Sequence, residues 1–198
     1  MKNLNDVFAF ELQDLYSAET QIIKALPKMA KGAQNDELRM AFEGHLAETH
    51  IHVQRLEKVA EICHINLHGD KCKGMEGLLA EGGSLLSDET KNVARDAAMI
   101  PEAQRVEHYE MAAYGSAVAF ANALGKSDCE AMLQKTLDEE MAADAKLTKI
   151  AKQSVNPGAL NAMSQNGNGK ATNGKAHGMD THGHDSEAKT TKVTGGTH

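Results

Sequence analysis

Tryptophan is absent from this 198-residue chain, all aromatics together make up 4% of it, and proline occurs only three times. Ala, Leu, Met, Glu and Lys dominate in their place, a balance that favours helix from end to end. Cysteine is equally sparse. Cys63, Cys72 and Cys129 are odd in number and contain no CxxC, which argues against a disulfide framework and for reduced thiols in a reducing compartment. No stretch approaches the roughly 20 apolar residues needed to span a bilayer, and Met1 to Phe10 lack a basic region followed by an apolar run. The expectation is a cytoplasmic chain without a membrane partner. An excess of positive charge is also missing: the net charge is −7. Residues beyond 160 hold Lys170, Lys175, Lys189 and Lys192 against Asp180, Asp185 and Glu187, so the body is more acidic than the whole. That balance excludes a nucleic acid held through its phosphates and favours cations as ligands.

The chain is long enough for one domain with a substantial core. Composition changes at Asn156-Pro157-Gly158, after which Gly, Asn, Thr, His and Lys prevail. Such a segment cannot bury enough surface to offset its ordering entropy. We therefore expect a folded unit over residues 1–156 and a disordered tail over 157–198.

Four segments show helical periodicity. The first runs from about Asn3 to Lys31 and closes at Gly32, and the second runs from an N-cap at Asn35-Asp36 to about Ile62. A third starts at Ser87-Asp88-Glu89, meets Pro101 and continues to Leu124 before Gly125, and a fourth covers about Ser127 to Ser154. At Pro101 the third helix either kinks or restarts. Each pair makes an antiparallel hairpin. The connection from His64 to Leu86, with a short helix around Met75 to Ala80, is long enough to run the length of a bundle. Two hairpins joined by one long crossover define an all-α, ferritin-like four-helix bundle.

Reading each helix in steps of three and four exposes its interior seam. The first gives Phe8, Leu12, Leu15, Glu19, Ile22, Leu26 and Met29; the second gives Leu38, Phe42, His45, Thr49, His52, Leu56 and Val59, with Glu48 alongside. The third gives Ile100, Gln104, Glu107, Met111, Tyr114 and Val118, with Glu110 one turn from Glu107; the fourth gives Leu133, Leu137, Glu140, Asp144, Leu147 and Ala151. Every helix thus carries ionisable groups at its middle. Several buried carboxylates would repel one another and lose hydration, and a pair of cations removes both costs. Oxygen donors with one or two imidazoles suit iron, with manganese as the alternative. Expected metal ligands are Glu19, Glu48, Glu107, Glu110 and Glu140, with Glu48 and Glu140 bridging. His45, His52 and Asp144 either bind directly or hydrogen-bond to ligating carboxylates. A weak internal repeat supports the pairing: Glu19 to Glu48 spans 29 residues and Glu110 to Glu140 spans 30, with His52 and Asp144 four residues after the second member.

Other constellations are weaker. Tyr16, Tyr109 and Tyr114 suit interface packing better than redox chemistry. Cys63, His64, His68 and Cys72 have zinc-binding donor types but irregular spacing, and His177, His182, His184 and His198 read as part of a solvated tail.

The stretches His45-Leu46-Ala47-Glu48-Thr49-His50, Lys71-Cys72-Lys73-Gly74-Met75-Glu76-Gly77-Leu78, Val106-Glu107-His108-Tyr109-Glu110 with Tyr114-Gly115, and Glu139-Glu140 with Asp144 and Lys146-Leu147-Thr148 together resemble the YciE/YciF family of ferritin-like bacterial proteins over residues 1 to about 156. The resemblance implies a dinuclear metal site, a homodimer and a link to stress response, with no defined reaction. Better-known di-iron relatives carry Glu-x-x-His on two helices, whereas the residues three after Glu48 and Glu140 are Ile51 and Ala143. Two functions remain open on these grounds. One is a di-metal oxidoreductase of ferroxidase, peroxidase or catalase type acting on peroxide, dioxygen or ferrous iron. The other is a non-enzymatic, metal-stabilised structural or interaction module.

Overall fold

The computed structural model describes residues 1–86 and 92–167, the side chains of 165–167 excepted. Among these residues six α-helices follow one another: α1 (Leu4–Gly32), α2 (Asp36–Cys63), α3 (Lys73–Ser84), α4 (Val93–Ala123), α5 (Ser127–Ile150) and α6 (Asn156–Gly167), the last two joined through a π-helical segment, Ala151–Val155. Helices α1, α2, α4 and α5 form the four-helix bundle, α1 pairing with α2 and α4 with α5. The crossover carries α3, which lies against α1 and α4. The ferritin-like architecture expected from the periodicity is the one present.

Local chemistry fixes the helix ends. The side chains of Asn3, Asn35 and Asn92 accept from the backbone N–H groups of Asp6, Leu38 and Arg95, capping α1, α2 and α4. Helix α4 ends in a Schellman turn: Lys126 N–H donates to the Ala121 carbonyl and Gly125 N–H to that of Asn122, with Gly125 at φ 69°. A residue with a Cβ is disfavoured in that left-handed conformation. Pro101 lies inside α4 and Pro27 inside α1, each within a continuous helix, so the break considered at Pro101 does not occur. The expected helix start at Ser87-Asp88-Glu89 lies outside the described residues.

Helical structure continues past residue 156. Asn156 N–H donates to the Ala151 carbonyl, the five-residue step of a π turn. This widened turn immediately precedes Pro157, so the helix continues where proline would otherwise interrupt it. Val155 is fully buried, and Gly158 lies close enough to Val93 that an added Cβ would stand 3.3 Å from its Cγ1. Leu160 and Met163 are exposed. Residues 168–198, most of the expected tail, lie outside the described residues.

One contact outside the seams anchors the hairpins to each other. Asp96, fully buried in the first turn of α4, accepts from the backbone N–H groups of Gln34 at 3.0 Å and Asn35 at 2.6 Å. Arg95 donates to the Gly32 carbonyl at 2.5 Å, and the Asn35 amide donates to Ser154 Oγ at 2.7 Å. Asp96→Ala leaves two N–H groups of the α1–α2 turn without their carboxylate, and is expected to cost about 3 kcal/mol. Chemical denaturation should show a lower midpoint with an unchanged slope.

The apolar interior falls into two clusters. One contains Ile22, Leu26, Phe42, Met75, Met99 and Leu147, and the other Phe8, Leu12, Leu15, Leu56, Tyr114 and Leu133. Between them lies a layer of buried polar side chains drawn from all four bundle helices: Glu19, His45, Thr49, His52, Glu107, Glu110, Thr136 and Glu140.

Candidate metal centre

The layer is built by register. In α2 the buried seam runs through Leu38, Phe42, His45, Thr49, His52, Leu56 and Val59, and this places both imidazoles inside. In α4 the buried positions include Ile100, Ala103, Glu107, Glu110, Tyr114, Ala117 and Ala121, so Glu107 and Glu110 both point inward, one turn apart. Helix α1 contributes Glu19 and α5 contributes Glu140.

The donors gather into two groups that share one member. His45, Glu107, Glu110 and Glu140 offer ligand atoms all within 4.8 Å of one another, and so do Glu19, His52 and Glu140. Glu140 Oε2 lies 3.8 Å from His45 Nε2, and its Oε1 lies 2.8 Å from His52 Nδ1. His45 Nε2 is also 3.4 Å from Glu107 Oε1, and His52 Nδ1 is 3.5 Å from Glu19 Oε1. Tyr114, fully buried, donates to Glu19 Oε1 at 2.5 Å.

The electrostatics of this cluster are those of donors that could hold cations. Burial raises the Glu19 carboxyl above its ordinary range, partly offset by His52. It raises Glu107 and Glu110 well above that range, with the charge of Glu140 adding to both. For His45 burial works against protonation, but Glu107, Glu48 and Glu140 outweigh it and lift the imidazole to about 9. His52 is lifted against burial to about 10 by Glu140 and Glu19. Both oxygens of Glu110, Oε2 of Glu107 and Oε2 of Glu19 are buried without a hydrogen-bond partner, a costly state for an ion-free core. Four carboxylates cancel the formal charge of two divalent cations, and hard oxygen donors with one imidazole in each group fit iron or manganese.

The side chains behind the donors orient them. His52 Nε2 faces Glu139 Oε2 at 3.0 Å, and Arg55 holds the same carboxylate with both terminal nitrogens. The Arg55 guanidinium lowers the Glu139 carboxyl below its usual value despite partial burial. A carboxylate behind a histidine fixes which ring nitrogen is free to bind metal. Glu139→Ala is expected to weaken ion binding about 10- to 100-fold while the fold persists, read as a shift in the midpoint of a metal titration. Arg55 does not stand out in the sequence, and Glu139 does so only as the neighbour of Glu140, because both sit beside the seam rather than on it.

Two expected ligands lie elsewhere. Glu48 is 52% exposed, with Oε2 3.7 Å from His45 Nδ1. The interior positions of this stretch belong to His45, Thr49 and His52, so Glu48 stands on the outer side of the imidazole. His45 lowers its carboxyl below the ordinary value. Asp144 is likewise off the seam, which passes from Thr136 through Glu140 to Leu147. It accepts from the Gln104 amide at 2.8 Å and lies 3.4 Å from His108. The internal repeat therefore equates residues that occupy different radial positions. Among the described residues Cys63, His68 and Cys72 do not converge: Cys72 contacts the Tyr109 hydroxyl, Cys63 faces Cys129, and His68 meets Tyr16 edge-on.

A cleft of about 390 Å³ reaches the cluster between α1, α3 and α4. Its walls are largely apolar, with Ile22, Phe42 and Leu79 among them, the exposed Lys24 and Lys28 line it near solvent, and the buried His45 and Glu107 line it at depth. Among the described residues no helix is long and apolar enough to cross a membrane.

Residues 3–160 match the family described as a domain of unknown function, DUF892. The chain is 43% identical to protein YciF of Escherichia coli (strain K12) over 162 residues, which covers 81% of this chain and 98% of that protein. The crystal structure of YciF, described as a stress protein, aligns with a TM-score of 0.76 over 79% of this chain and 99% of its own. YcfI of Rhodopseudomonas palustris, for which a structural role has been suggested, is 38% identical and aligns at 0.71 over 75% and 94% of the two chains. A protein of Xanthomonas campestris pv. campestris, 18% identical, shares the fold at 0.66.

Proposed function

The chain belongs to the DUF892 family, the YciE/YciF group of ferritin-like proteins, and we propose from the geometry of its buried layer that it is a dinuclear metal protein handling a small oxidant. The observation that carries this reading is Glu140, whose two oxygens face two separate donor groups. The metal is iron, or manganese by the same donor chemistry. Such a pair, when bound, supplies two redox centres that can together exchange two electrons with peroxide or dioxygen, or accept ferrous iron as substrate.

The chain's own residues do the rest. Tyr114 fixes Glu19 through its hydroxyl, and Arg55 with Glu139 fixes His52. The apolar clusters on either side keep bulk water from the cluster, which strengthens every charge interaction inside it. The cleft admits a small solute as far as His45 and Glu107. By homology with YciF, the setting is a stress response.

Protein purified without chelators should carry about two ions per chain, consume peroxide or oxidise ferrous iron over many turnovers, and lose both properties on removal of the metal. The suggested structural role of YcfI favours a second reading, a metal-stabilised scaffold. That reading gains ground if bound metal raises thermal stability without turnover. A homodimer belongs to the proposal too, and light scattering coupled to size exclusion should return twice the chain mass.

A further inference from the structure

The cysteines play no part in the ion cluster, yet two of them are brought together from positions 66 apart in the chain. Cys63 is the last residue of α2 and Cys129 lies in the first turn of α5, and their Sγ atoms stand 3.4 Å apart. Both sit against the apolar cluster that contains Val59 and Leu133, Cys129 buried and Cys63 half-buried. A disulfide bond of about 2.05 Å requires the sulfurs to approach by little more than 1 Å. Both residues are at helix ends, where small adjustments are inexpensive: His64 follows Cys63 in a left-handed turn, and α5 begins without a side-chain cap. The third cysteine, Cys72, is engaged elsewhere by Tyr109 at 3.0 Å.

We propose that Cys63 and Cys129 form a peroxide-reactive dithiol that converts to an intramolecular disulfide, tying the end of α2 to the start of α5. The more exposed Cys63 gives up its thiol proton and its sulfur attacks one oxygen of hydrogen peroxide; the O–O bond breaks, a sulfenic acid forms, and the departing hydroxide takes up the proton that the thiol released and leaves as water. Cys129 sulfur then displaces the sulfenic hydroxyl, which leaves as a second water carrying the Cys129 proton. Two electrons leave the sulfur pair and reduce one peroxide. Burial and its hydrogen bond to Cys63 push the Cys129 thiol up to about 11, which keeps it protonated and assigns it the resolving step. Because the disulfide closes a long loop, the oxidised chain should melt roughly 5–10 °C higher than the reduced one.

The test uses the full-length chain, reduced, freed of reductant and titrated with hydrogen peroxide in the presence of a chelator, then alkylated and weighed intact. Expected are a loss of about 2 Da from the unalkylated chain, a fall in alkylatable thiols from three to one, and a Cys63–Cys129 linked peptide. Saturation should come at about one equivalent of peroxide. Cys72→Ser should leave the cross-link intact, and Cys129→Ser should instead accumulate adducts of about 16 or 32 Da on Cys63. Three thiols still open to alkylation after several equivalents, or a cross-link through Cys72 or between chains, would overturn the proposal.

Discussion

Replacing Glu140 with alanine is expected to abolish binding of both ions at once, taking the chain from about two metal ions to none, whereas Glu19→Ala and Glu110→Ala should each remove only one. The asymmetry follows from the donor groups. Glu19 lies only in the group with His52, Glu110 only in the group with His45, and Glu140 in both. All three side chains are fully buried, so exposure does not confound the comparison. Elemental analysis of the three variants beside the parent decides the matter, with circular dichroism confirming that each remains helical. Equal losses from all three variants would sink the shared-ligand reading, as would a parent that binds no metal. Glu110→Gln adds a converse. Both oxygens of Glu110 lack partners and burial disfavours its charge, so the neutral amide should make the ion-free chain more stable while it lowers the stability gained from metal.

The second large effect is a crossing of pH profiles. In the ion-free chain His45 and His52 are raised from 6.5 to about 9 and about 10. The stability they add is complete below 6.5 and is lost as pH climbs through those folded values. Glu19, Glu107 and Glu110 are raised above 4.5, so their contribution is also complete at low pH and lost on the way up. All five act in one direction, and the melting temperature with chelator should fall between about pH 5 and 10. Glu48 and Glu139, with lowered values, act the other way, but only as pH falls below about 4.5. Metal ions compete with protons for the same atoms, so the gain in melting temperature with excess manganese should grow over the same interval. At a thousandfold excess over Kd that gain is about 4 kcal/mol, on the order of 10 °C. A chelated profile that rises from neutral to alkaline pH would show that the cluster is not the group of protonated donors described above.

Much of this was readable from periodicity, and where it was not the reason is physical. The seams of α1 and α2 are marked by Phe, Leu and Ile around Glu19, His45 and His52, and large apolar residues fix a register well. In α4 the interior is lined by Ala103, Ala113, Ala117 and Ala121. Alanine carries little hydrophobic contrast, so a reading through Gln104, Met111 and Val118 drifts by one position. In α5 a seam drawn through Asp144 drifts in the same way, and Glu48 gained its bridging role from a spacing that ignored its angle around the helix. The Asp96 clasp, the Glu139–Arg55 pair and the Cys63–Cys129 contact join residues far apart in the chain, and no local pattern announces them. The continuation past Pro157 depends on a π turn, which leaves no mark in composition.

The polar layer that divides the apolar interior bears on cooperativity. The helix backbones run through both halves, and Tyr109 packs against both. Ions seated in that layer would act as rivets between them. Amide hydrogens at the two ends of the bundle should then exchange independently in apo protein and through one common opening in holo protein, so that metal supply sets whether the molecule behaves as two folding units or one.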